Sequence, residues 1–300
     1  MPGTYPRWVS APLINFRASP AVPLRLTPQI SLVPVDAELR ATLNGQGLLD
    51  YGLNQVSTLV RLQQPVGWAL DAECDSGSTG AFPDSAVAFN AFMTVVNCMR
   101  AFNASNVDFP ILLESRERAY PPGSGTPNQW FPGTGAWMHS HNRPYELEQS
   151  DRARLAELCT KAFRILDSDP HGSVSIVLHR IGTANQSALN TDRIIDSTIA
   201  LEALLVADGR PEIRYRQALR GARLLGDTPE ERVALFRLLK AAYDKRSQIV
   251  HGGSDDPGPP TADEIVALAS RVTRRFIEAL GTKTQSGLLD ELDEASVRSG

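Results

Sequence analysis

The sequence predicts an α+β protein in which a mixed α/β first half is followed by an all-α second half. Three observations lead there. Before about residue 145, short apolar runs are broken by prolines and glycines at intervals that suit strands and turns. After about residue 150, long runs without Gly or Pro carry apolar residues at helical spacing and open on capping signals. The chain has 300 residues, 42% of them hydrophobic, which is enough for two cores.

In order, the runs Leu13 to Phe16, Leu24 to Leu26 and Ile30 to Val33 lie among Pro20, Pro23, Pro28 and Pro34 and read as edge strands. A longer strand surrounds Val56 to Leu62, with another run from Val66 to Leu70. Asp84 and Ser85 cap a helix to about Phe102, whose Val87, Phe89, Phe92, Val95, Val96 and Met99 predict burial. Phe109 to Leu113 reads as a strand, and Tyr120 to Gly135 as a Pro/Gly loop with Trp130 in it and Trp137 just beyond, both suited to anchoring it.

The helical half begins where Ser150 caps a segment with Leu155, Leu158, Ala162 and Leu166. Val174 to Ile181 forms a second apolar patch. Asp192 to Val206 presents one broad apolar face, and Pro211 to Leu225 is a basic helix. Thr228-Pro229-Glu230-Glu231 combines a cap, a proline where its missing N–H costs nothing, and a glutamate that completes a capping box. From there the chain runs to His251, a span of roughly 34 Å as helix, and Gly252 offers a left-handed stop. Thr261-Ala262-Asp263-Glu264 opens the next helix, to Leu280. The expected domains are 1–145, mixed α/β; 150–283, a helical bundle; and 284–300, an acidic tail that reads as a frayed helix.

The formal charge of −4 argues against a protein that coats nucleic acid at large. Between Asp208 and Arg246, however, ten basic residues face six acidic ones, so a polyanion should be met there. Cys74, Cys98 and Cys159 have no metal or CxxC spacing and predict free thiols in a reducing compartment. His139 and His141 lack a third ligand, so no metal site and no cofactor are expected; no nucleotide or hydrolase signature occurs. No run is long enough to span a bilayer, and the start of the chain has no secretory pattern, which predicts a soluble cytoplasmic protein.

The candidate site is Tyr243-Asp244-Lys245-Arg246-Ser247-Gln248-Ile249-Val250-His251-Gly252. On a helical wheel Arg246 falls within a stripe of Leu235, Leu239, Ala242 and Val250, and a guanidinium on a packed face needs a receiver. Glu202, inside the apolar face of Asp192 to Val206, predicts an Arg246–Glu202 pair, either as part of a site or as a device that sets helix register. Five residues separate Arg246 from His251, about 140° around a helix of roughly 3.6 residues per turn. The two diverge unless the helix ends between them or a second chain completes the site.

With the upstream Asp196 to Leu205 (DSTIALEALL), this stretch resembles HEPN domains, specifically the ApeA-like branch, over about residues 150–283. The resemblance implies a helical bundle that dimerises and cleaves RNA without metal in prokaryotic defence or toxin-antitoxin systems. It implies catalytic roles for Arg246, Ser247 and His251, support from Glu202, Tyr243 and Asp196, and RNA, a second copy and a possible antitoxin or defence-system protein as partners. The chemistry is compatible: RNA carries its own 2′-hydroxyl nucleophile, an imidazole moves protons, and a guanidinium grips a phosphate. Two alternatives stand beside the nuclease: a non-catalytic HEPN-like module that binds RNA or protein, and a purely structural role for the motif.

Overall fold

The computed structural model describes residues 3–19, 23–35, 37, 40, 56–68, 83–115, 129–132, 143–206, 212–253, 258–281 and 283–298. His139, Ser140 and His141, Trp137, Cys74, Asp208 and most of the Pro/Gly loop lie outside them. The class is α+β, as expected.

The chain divides into two compact units, the first made of residues 1–95, 107–138 and 146–156. Its sheet is antiparallel in every described pairing, with strand order β3-β4-β5-β1-β6-β7. The strands are β1 (Gly3–Pro12), β3 (Leu24–Arg25), β4 (Ile30–Pro34), β5 (Thr58–Trp68), β6 (Ile111–Ser115) and β7 (Gln129–Pro132). Where the sequence suggested two runs, β5 is one strand. Its Pro65 lies opposite Pro6 of β1, so the two residues without N–H donors share one rung of the ladder. The strand β7 falls inside the expected Pro/Gly loop, paired with β6 from Gln129↔Glu114 to Pro132↔Ile111. A short ribbon pairs β2 (Phe16–Ser19) with β8 (Tyr145–Glu148). Phe89 and Phe92, on the first part of α1 (Pro83–Phe102), meet Phe109 edge to face. Val87, expected inside, is exposed.

The second unit holds residues 96–106, 139–145 and 157–300. Its helices are most of α2 (Arg152–Ser168), then α3 (Ser173–Gln186), α4 (Asn190–Leu205), α5 (Ile213–Leu225), α6 (Pro229–Val250), α7 (Ala262–Leu280) and α8 (Gln285–Arg298). A short 3-10 turn at Gln149–Asp151 precedes α2, so Ser150 is not its cap. The last turns of α1 belong here because Arg100, fully buried, donates to Asn97 Oδ1 at 2.8 Å, and Gly182 of α3 lies so close that a Cβ would sit 2.6 Å from that oxygen. Cys98 and Cys159 are free and buried, and the Cys159 thiol is raised well above its usual range, first by its hydrogen bond with Cys98 and then by burial.

The tail is a docked helix rather than a frayed one. Asp293 of α8 accepts from Arg220 Nε at 2.8 Å, Arg220 Nη2 at 2.7 Å and Arg216 Nη2 at 2.9 Å, while Arg223 reaches the Leu292 carbonyl. The Arg220 fork holds the Asp293 carboxyl below the usual carboxylate range. Among the described residues, no helix is long and apolar enough to cross a membrane.

Candidate functional site

The site lies at the end of α6, and that helix is fixed at both termini by its own sequence. At its start the Thr228 hydroxyl accepts from Glu231 N at 3.2 Å, while the Glu231 carboxylate accepts from the N–H groups of Asp227 and Thr228 at 2.9 and 3.2 Å. These backbone bonds hold Glu231 below its ordinary range. At its end His251 is the C-cap, and Gly252 takes φ +85°, the left-handed conformation that favours glycine. Gly252 N bonds the Ile249 carbonyl at 3.1 Å and Gly253 N the Gln248 carbonyl at 2.8 Å, the paired closure of a Schellman motif. The His251 backbone is therefore held, and its side chain is exposed.

Behind it, α6 packs through Ala242 into a buried cluster with Ile194, Ala262 and Ile265, with Ile249 against it. Lys245 belongs to this buried face, 7% exposed, and donates to the carbonyls of Gly258 and Pro260 at 2.6 and 2.9 Å. It fastens the far end of the α6–α7 connection to the helix. The buried stripe is rotated from the expected one: Val250 is 50% exposed, and Lys245 lies inside instead.

That rotation leaves Arg246 on the flank, half-buried, and the expected Arg246–Glu202 pair does not form among the described residues. Arg246 Nε and Glu202 Oε1 are both buried without a hydrogen-bond partner. Stagger adds to rotation. Leu205 and Leu239 meet at Gly221, where an added Cβ would be 3.2 and 2.7 Å from their Cδ1 atoms. Glu202 is three residues from that level and Arg246 seven, which at about 1.5 Å per residue separates their backbones by roughly 6 Å along the bundle.

Asp196, expected to support the site, is buried and committed to Arg180 of α3 at 2.8 Å. Tyr243 and Ser247 are half-buried, and His251 is exposed. At about 100° per residue, His251 shares the outward face of α6 with Ser247, Asp244, Lys240, Arg237 and Val233, and Arg246 points away from that face. One chain thus brings Ser247 and His251 to one side and leaves Arg246 on another. Their assembly into a single catalytic cluster is not a property of the single chain.

The basic segment is also more committed than its charge implies. Arg220 is fully buried, Arg216 and Arg223 serve α8, Arg214 pairs with Asp244, and Lys245 is inside. Sequence reasoning missed these roles, although Lys245 stands three residues after Ala242 and four before Ile249, a spacing that marks the inward face. Among the described residues, no group of three or more His, Cys, Asp or Glu side chains is placed to hold a metal ion. In comparisons with known proteins, the chain matches no family model, no curated protein and no solved structure.

Proposed function

We propose that the helical unit is a metal-independent endoribonuclease of the HEPN type, ApeA-like, that acts in the cytoplasm as a homodimer. The observation that carries this reading is the pairing of unmet groups at a capped helix end: an exposed His251 ring on a held backbone, and Arg246, five residues earlier, with a buried Nε that has no hydrogen-bond partner among the described residues. Because the two point to different faces, two-fold association is the arrangement that sets the imidazole of one chain beside the guanidinium of the other.

In the reaction proposed, the 2′-hydroxyl of RNA attacks the adjacent phosphorus. The O2′–P bond forms and the P–O5′ bond breaks. His251 takes the hydroxyl proton, and an imidazolium, its own or its two-fold mate, returns a proton to the leaving O5′. Arg246 holds the non-bridging oxygens as charge gathers on them, and Ser247, beside His251, donates a hydrogen bond to the phosphate. The products are a 2′,3′-cyclic phosphate and a 5′-hydroxyl end. The HEPN resemblance adds a defence or toxin-antitoxin setting, with an antitoxin or defence-system protein as a further partner.

Incubation of the purified protein with RNA in EDTA tests this. The wild type should cleave to cyclic-phosphate ends and His251→Ala should not; cleavage by both proteins, or by neither, refutes it. A second reading, a non-catalytic HEPN-like module that binds RNA or protein, is favoured by the half-buried position of Arg246 away from His251. It requires RNA binding that weakens with salt and is indifferent to His251→Ala.

A further inference from the structure

The outward face of α6 that ends at His251 also carries, nearer the helix start, an open groove beside Arg214 of α5, lined by Arg214, Val233, Phe236, Arg237, Lys240 and Asp244. Its chemistry is mixed in a particular way. Val233 is 50% exposed, and Tyr215, also 50% exposed, stands edge to face with Phe236. Lys240 Nζ lies over the Phe236 ring, 5.3 Å from its centre. Arg214 and Asp244 pair with each other, and Arg237 is exposed with no ion pair among the described residues. The groove thus carries two net positive charges beside an apolar and aromatic floor.

We infer that this groove is a track for single-stranded RNA that leads to His251; the inference rests on the nuclease reading and names the form of its substrate. Aromatic rings with flanking cations suit unpaired bases, which stack while their phosphates meet the charges. A duplex hides its bases and presents about one charge per 1.7 Å of axis, for which two net positive charges are a poor match. A second copy centred on the groove itself, rather than on the His251 end of the helix, fits less well still, since two-fold pairing there would set Arg237 and Lys240 against themselves. From Arg237 to His251 is fourteen residues, roughly 21 Å at about 1.5 Å per residue along one face of the helix.

The probe is a fluorescein-labelled single-stranded RNA 20-mer of mixed sequence, and the same sequence as duplex, titrated with full-length His251→Ala protein at several salt concentrations. The single strand should bind at least tenfold more tightly than the duplex. Adding Arg237→Gln and Lys240→Gln, both away from the core, should weaken single-strand binding about tenfold and lower the salt slope by about 1.4, two contacts at roughly 0.7 each. Unchanged affinity and slope in that variant, equal binding of the duplex, or capture of an acidic protein there with no RNA affinity would each overturn the track. The two readings fail separately. Wild-type cleavage in EDTA that persists unchanged in Arg237→Gln/Lys240→Gln leaves the nuclease and removes the track. Groove-dependent binding without any wild-type cleavage does the reverse.

Discussion

Replacing Asp293 by Asn should expose how far the C-terminal helix is part of the fold. The carboxylate receives two bonds from Arg220 and one from Arg216, and Arg220 is 0% exposed and also donates to the Leu205 carbonyl at 2.6 Å. Breaking a buried pair by neutralising one partner costs about 3–5 kcal/mol. Asp293 keeps 30% of its side-chain surface in water, and an amide oxygen still accepts one bond, so about 2–3 kcal/mol is the expected loss. For a unit of this size that lowers Tm by roughly 4–12 °C. Urea or thermal unfolding followed by circular dichroism measures it, and the sign of its pH dependence is fixed. The folded carboxyl is held below its unfolded range, so its contribution is complete above about pH 4, and is lost as pH falls through the depressed folded value. The gap between wild type and Asp293→Asn should therefore be full at pH 7 and shrink below about pH 4. A Tm shift under about 1 °C at pH 7, or a gap that widens on acidification, would refute the buried clamp.

Other consequences are simpler to check. His251→Ala should leave stability within about 0.5 kcal/mol, since the ring is exposed, while removing RNA cleavage in a gel assay. Gly252→Ala, at φ +85° with open space around the Cβ, should cost about 1 kcal/mol from backbone strain alone, seen as a lower urea midpoint with unchanged m. Arg246→Ala should cost only about 1 kcal/mol from lost stem packing, because Arg246 makes no ion pair among the described residues; loss of folding would favour a structural role for the motif.

The limits of α6 and α7 were legible because their ends are written locally: Thr228 with Glu231, Thr261 with Glu264, and Gly252 at a positive φ. The partners of buried charges were not. Whether Arg246 meets Glu202 depends on stagger and rotation between two helices, which neither segment encodes by itself, and Asp196 turned instead to Arg180. The same holds for Asp293, which in sequence is one acid in an acidic tail and in the fold receives two arginines from α5. The strands β7 and β8 carry no sequence signal because four residues are too few for alternation to show. The division into units also differs from a cut near residue 145, since residues 96–106 and 139–145 and the C-terminal helix all go with the helical unit.

The most direct test of a site shared between two chains is complementation. Arg246→Ala and His251→Ala proteins, each inactive alone on RNA in EDTA, should regain cleavage when co-expressed or refolded together, because a mixed dimer keeps one guanidinium and one imidazole at a common site. A mixture that stays inactive while the wild type cleaves, or a wild type that is monomeric at every working concentration, would contradict the account.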